Sequence, residues 1–196
     1  MLPFLTYLTN YLYQKSEKTK ASPDAGDFDY YMMQLSYAPE FCRLHPDQQG
    51  QAECTGQFTL VLHGLWPQWT KPRTVNGEDY PQFCSTQYQN VNVTEVLKEV
   101  GDWAVIAPEY DHLAEHEWKR HGTCSGLSPR DYFALAVKLA LAYKDTIANC
   151  ENSDLRNRDF MKNLFPLGDP FYDQDGDFAG VNLYFSRDGQ QIAKPN

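Results

Sequence analysis

The sequence predicts a single α+β domain on three observations: two short β-prone runs of large apolar side chains early in the chain, one strongly signalled helix in its second half, and a hairpin pattern near its end. The opening stretch Met1 to Leu8 is apolar but lacks a basic start and a long uninterrupted apolar run, so it reads as a leader remnant or an extension. Residues 15 to 27, rich in Lys, Ser, Asp and Gly, follow it. An N-terminal leader or extension is therefore expected over 1–25 and one domain over 26–196. Phe28 to Tyr37 and Phe58 to His63 read as buried strands, with Gly64 ending the second and leaving His63 at a strand terminus. Thr94 to Val100 reads as a short helix capped by Thr94. A helix capped by Asp111 is expected to run through Arg120 and to stop at Gly122. In the clearest helix Ser128 is the cap, Pro129 suits the first turn and Asp131 completes a capping-box-like pattern. Its apolar face is Tyr132, Phe133, Leu135, Ala136, Leu139 and Tyr143. Val181 to Phe185, the turn Arg187-Asp188-Gly189 and Gln190 to Ala193 complete the chain as a hairpin.

With 196 residues and a formal charge of -9, the chain suits one domain with a real core and is ill suited to coating a polyanion nonspecifically. A nucleic-acid partner would have to be captured at a local site. Five cysteines point to disulfides and an oxidising compartment, and the odd count leaves one unpaired. No stretch approaches the roughly 20 apolar residues that span a bilayer, so no membrane anchor is expected. Asn92-Val93-Thr94 is a glycosylation sequon.

Chemistry concentrates in two segments. On a helix advancing roughly 100° per residue, His116, Glu117, Arg120 and His121 share one face, while Trp118 and Lys119 fall outside it. Two imidazoles, a carboxylate and a guanidinium are thereby gathered within about one and a half turns. The bland alternative is a solvated face of i,i+4 pairs. A second segment of the same character tips the balance: His63 leaves a buried strand and is followed at once by Gly64, then by Trp66-Pro67.

Leu62-His63-Gly64-Leu65-Trp66-Pro67 and His116-Glu117-Trp118-Lys119-Arg120-His121-Gly122-Thr123-Cys124 resemble the two active-site signatures of the ribonuclease T2 family. Phe28-Asp29-Tyr30-Tyr31, Leu35 to Cys42 and Val181 to Phe185 extend the likeness over most of residues 26 to 190. The resemblance implies a central, mainly antiparallel sheet flanked by helices. It also implies a monomer, secreted or held in an oxidising or acidic lumen, that cuts single-stranded RNA with low base specificity, needing neither metal nor cofactor. The RNA's own 2′-hydroxyl attacks, and a 2′,3′-cyclic phosphate forms. By position, His121 is implied as general base, His63 as general acid, Glu117 and Arg120 as stabilisers of the transition state, and His116 as a phosphate contact. Trp66 is implied as a surface for a base, with Gln68 beside it. The implied disulfides are Cys84 with Cys124 and Cys42 with Cys54.

Three departures stand out. Arg120 replaces the usual lysine, keeping the charge but exchanging a compact ammonium for a planar fork. Gln68 stands where some base-selective members carry an acid. Tyr184 stands where a cysteine is common, which orphans Cys150. Two other readings compete. His112-Leu113-Ala114-Glu115-His116 fits a zinc-protease pattern, although a third ligand is required. Arg120 and Cys150 also suit a noncatalytic binding or storage protein of the same fold.

Overall fold

The computed structural model describes residues 24–71, 73, 79–107 and 110–196; nearly all of the expected N-terminal segment lies outside them. Its sheet holds five strands: β1 (Tyr30–Tyr37), β2 (Leu60–Gln68), β3 (Gly168–Tyr172), β4 (Phe178–Phe185) and β5 (Gln191–Ile192). The order is β2-β1-β4-β3 with β5 added to the Phe185 end of β4, and every pairing is antiparallel. β1 takes the middle because its alternate side chains Tyr31, Met33 and Leu35 are all but fully buried. Such a strand needs partners along both edges and a layer packed on its apolar face.

Eight helices accompany the sheet among the described residues: α1 (Ala38–Leu44), α2 (Ala52–Thr55), α3 (Val93–Val100), α4 (Trp103–Ile106), α5 (Tyr110–Arg120), α6 (Pro129–Leu141), α7 (Asn152–Arg156) and α8 (Arg158–Leu164). α6 starts as the sequence predicts, with the Asp131 amide donating to Ser128 Oγ at 3.2 Å. Its buried Tyr132 and Phe133 meet Trp118 of α5 at ring centroids of 5.7 and 6.2 Å. Burying aromatic side chains of this size contributes roughly 4–6 kcal/mol of transfer free energy each. The Tyr132 hydroxyl donates to Leu65 O at 2.8 Å, which pins the helix to β2 beside the histidine segment.

Several boundaries differ from the sequence reading: β1 and β2 begin at Tyr30 and Leu60, two residues after the expected Phe28 and Phe58. β2 does not stop at Gly64 but runs on to Gln68, because β1 continues to offer it a partner as far as Tyr30. The cap of α3 is Asn92, whose side chain accepts the Glu95 amide, and Thr94 lies inside the helix. α5 begins at Tyr110, so Asp111 is its second residue rather than its cap. The end of α5 at Arg120 falls where expected, and the expected hairpin forms, with β4 beginning at Phe178 rather than Val181 and β5 confined to Gln191–Ile192.

Cys42–Cys54 joins α1 to α2, and Cys84–Cys124 ties the segment before α3 to the turn after α5. These are the two pairs the resemblance implies. Cys150 is free and half-buried, while Tyr184 in β4 is buried and donates its hydroxyl to Asp169 Oδ2 at 2.7 Å.

Candidate active site

A β-bulge delivers the first histidine. Pairing along β1 passes from Gln34–Gly64 to Leu35–Leu62, so His63 is skipped and forms the extra residue of β2. A bulge re-aims a side chain, and His63 is exposed while Leu62 and Leu65 on either side are buried. Gly64 then leaves room for a neighbour: a Cβ there would lie 2.1 Å from Glu117 Oε2 and 2.2 Å from Trp66 Nε1. Into that room Trp66 Nε1 donates to Glu117 Oε2 at 2.6 Å, linking the strand to α5.

α5 supplies the rest. Trp118 turns into the core and Lys119 turns outward to pair with Glu115 at 2.6 Å, so both leave the face of Glu117 and His121 as the helical geometry requires. Glu117 and His121 are 2% and 5% exposed, Arg120 is half-buried, and His116 stands exposed at the rim. The His121 amide still donates to Glu117 O at 2.9 Å, which holds the ring in register just past the helix end. Trp66 touches both histidines, its ring centroid 5.5 Å from His63 and 5.3 Å from His121. The indole is thus a wall of the site, neither a packed core residue nor a free surface ring. Gln68 lies two residues further along the same face of β2, half-buried, outside this set of contacts.

Burial dominates the electrostatics. It raises Glu117 to about 7, against the Trp66 hydrogen bond and the charge of Arg120, both of which favour ionisation. It lowers His121 to about 3, helped by the positive charges of Arg120, His116 and His63. His63 is lowered too, by the protein packed about its ring and then by His116. Both flanking imidazoles are therefore neutral at neutral pH. His121 Nδ1 is buried with no hydrogen-bond partner among the described residues.

Two members of this site were not foreseen. Tyr80 stacks on His121 at 5.9 Å and 27°, and its hydroxyl accepts from Arg120 Nη2 at 2.7 Å. Gln82 Oε1 accepts from Arg120 Nε at 2.9 Å. They come from an irregular segment some 40 residues before Arg120, and the only sequence signal for them is indirect: Cys84, once paired with Cys124, must bring its neighbours to the end of α5.

The zinc-protease pattern gains nothing from the structure. His112 and His116 are exposed, and among the described residues the group arranged to share a cation is Glu40, Asp173 and Asp177.

The model of the ribonuclease T2 family matches residues 28–159. A ribonuclease of Aeromonas hydrophila is 37% identical over 130 residues, covering 66% of this chain and 53% of its own length. Ribonuclease DdI of Dictyostelium discoideum is 31% identical over 134 residues, covering 65% and 55%. The chain thus spans about half the length of the curated relatives it matches. Among solved structures, RNase NT in complex with 5′-AMP superposes with a TM-score of 0.60 at 22% identity, over 87% of this chain and 92% of that one, a likeness of fold. Since the family match takes in both histidine segments and covers well over half the chain, the protein belongs to the ribonuclease T2 family.

Proposed function

We propose that the protein is an endoribonuclease that cleaves single-stranded RNA by attack of the 2′-hydroxyl on the adjacent phosphorus. The observation that carries this reading is the gathering of two imidazoles, His63 and His121, each within 5.5 Å of the Trp66 ring, with Glu117 bonded to that indole and Arg120 close enough to act on the charge of His121. His121 takes the 2′-hydroxyl proton as the 2′-oxygen–phosphorus bond forms, and His63 gives its proton to the 5′-oxygen as that bond breaks. The product is a 2′,3′-cyclic phosphate, opened in a second step with the two roles exchanged. Arg120 supplies positive charge to the phosphoryl oxygens, and Glu117, half protonated near neutrality, donates to them in mild acid. His116 contacts phosphate from the rim.

His63 must be protonated to act as an acid, and its lowered pKa makes mild acid the favourable condition; a bound phosphodiester adds negative charge that opposes the lowering. Acid also reduces the net charge of -9 that repels the substrate. Trp66, fixed by its bond to Glu117, offers a stacking face that accepts any base, which accords with low base specificity, and Gln68, on the same face of β2, is placed to meet the substrate beyond it. The reaction needs no metal. The two disulfides support an oxidising location, and an acidic lumen suits the protonated His63 that the mechanism needs; all five proposed residues come from one chain, which acts as a monomer.

The test is cleavage of matched RNA and DNA oligonucleotides in EDTA, at fixed ionic strength, from acidic to neutral pH. Expected are 2′,3′-cyclic ends from RNA, an optimum in mild acid, no cleavage of DNA, and a 10²–10⁴-fold loss in each of His63→Ala and His121→Ala. Comparable DNA cleavage, or dependence on an added divalent metal, removes the 2′-hydroxyl mechanism. An inactive parent protein leaves the noncatalytic reading standing.

A further inference from the structure

Arg120 occupies a position where the sequence departs from its family, and the structure shows how a guanidinium is accommodated there. Its Nε donates to Gln82 Oε1 at 2.9 Å and its Nη2 to Tyr80 Oη at 2.7 Å. Those two nitrogens lie on one edge of the planar group. Both hydrogen bonds therefore grip the same edge, and the opposite edge, formed by Nη1 and the second hydrogen of Nη2, is the one suited to bidentate contact with phosphate. A lysine ammonium has no such division: its three donors rotate on a flexible stem, so a hydrogen bond to Tyr80 or Gln82 does not fix where the others point.

The gripping segment is itself anchored at the same helix end. The Phe83 amide donates to Arg120 O at 2.8 Å, and the next residue is bonded to Cys124 through its disulfide. Phe83 holds φ at 51°, a left-handed value that costs a non-glycine residue of order 1 kcal/mol or more and persists only where surroundings impose it. The same Tyr80 ring stacks on His121, so one side chain touches both the guanidinium and the imidazole.

We propose that Tyr80 and Gln82 are positioning residues: they clamp one edge of Arg120 so that the other edge meets the phosphoryl oxygens, and Tyr80 sets the plane of His121. This rests on the ribonuclease reading above. The clamp is a consequence of arginine at position 120, and its effect depends on that residue.

The test is a double-mutant cycle on RNA cleavage, combining Tyr80→Phe with Arg120→Lys. In the parent, Tyr80→Phe keeps the ring and removes one charge-assisted hydrogen bond, so kcat and kcat/KM fall together by about 10-fold. In the Arg120→Lys background the same substitution changes the rate by less than about 2-fold, since the edge it held is gone. Gln82→Leu behaves in parallel and serves as the second probe should Tyr80→Phe fold poorly. By NMR, the Arg120 Nε–H signal is protected from solvent exchange in the parent and loses that protection in Gln82→Leu. Equal losses from Tyr80→Phe in both backgrounds, with the Nε–H signal unchanged in Gln82→Leu, overturn the clamp while leaving the ribonuclease reading intact. A parent protein that does not cleave RNA overturns that reading first, and the positioning role with it.

Discussion

Glu117 is a carboxyl group held away from water, and its titration therefore acts on stability as well as rate. Its folded pKa of about 7 lies above its ordinary 4.5, so its favourable contribution is complete below pH 4.5 and is lost as pH rises through 7. His121 works in the opposite direction. Lowered from 6.5 to about 3, it contributes fully above pH 6.5 and loses its share as pH falls toward 3. Glu117→Gln keeps an acceptor for Trp66 Nε1 and removes the ionisation. Relative to the parent, the variant is expected to gain stability between pH 5 and pH 8, by up to about 3 kcal/mol, while RNA cleavage falls. Urea unfolding of both proteins at the two pH values measures this, and an unchanged difference would show that the carboxyl is already ionised at no cost. At this scale the sequence was largely legible. His63, Glu117, Arg120 and His121 sit in short signatures of rare residues, and helical spacing alone separates Trp118 and Lys119 from the site. Tyr80 and Gln82 were not legible, since nothing local to residues 79–84 records that they meet a guanidinium on another element.

At the scale of elements, β2 shows what local signals miss. Glycine weakens an isolated strand, yet Gly64 sits mid-strand because β1 pairs on both sides of it and because the Glu117 carboxyl fills the space a Cβ would take. Gly64→Ala is therefore expected to push the carboxyl from Trp66 Nε1, destabilising the fold by about 1–3 kcal/mol and slowing RNA cleavage at least about 10-fold. Rate assays and a denaturation midpoint check this; a variant as fast as the parent would show that the placement of the carboxyl is immaterial. The same reasoning explains the other boundaries. β3 is half-buried at every residue and carries no alternation to read. α7 and α8, at 5 and 7 residues, are too short for a helical period to emerge. α6, with a cap, a proline in the first turn and a long apolar face, needed no tertiary help to be recognised.

For the whole molecule, the Cys84–Cys124 bridge matters more than its neighbour because it closes 40 residues against 12. Paired replacement of Cys84 and Cys124 by serine is expected to cost about 2–4 kcal/mol, seen as a lower melting temperature, and to reduce activity even below the melting transition, because the bridge also carries the segment holding Tyr80 and Gln82. A double variant with the parent's melting temperature and rate would show that packing alone assembles the site. The bulge in β2 has a different reach. Because Leu62 pairs with Leu35 and Gly64 with Gln34, a chain lacking His63 would run through the sheet without a break in register. The proposed acid is thus a supernumerary residue: the scaffold's pairing is complete without it, and a chain one residue shorter is a folded, silent counterpart a single deletion away.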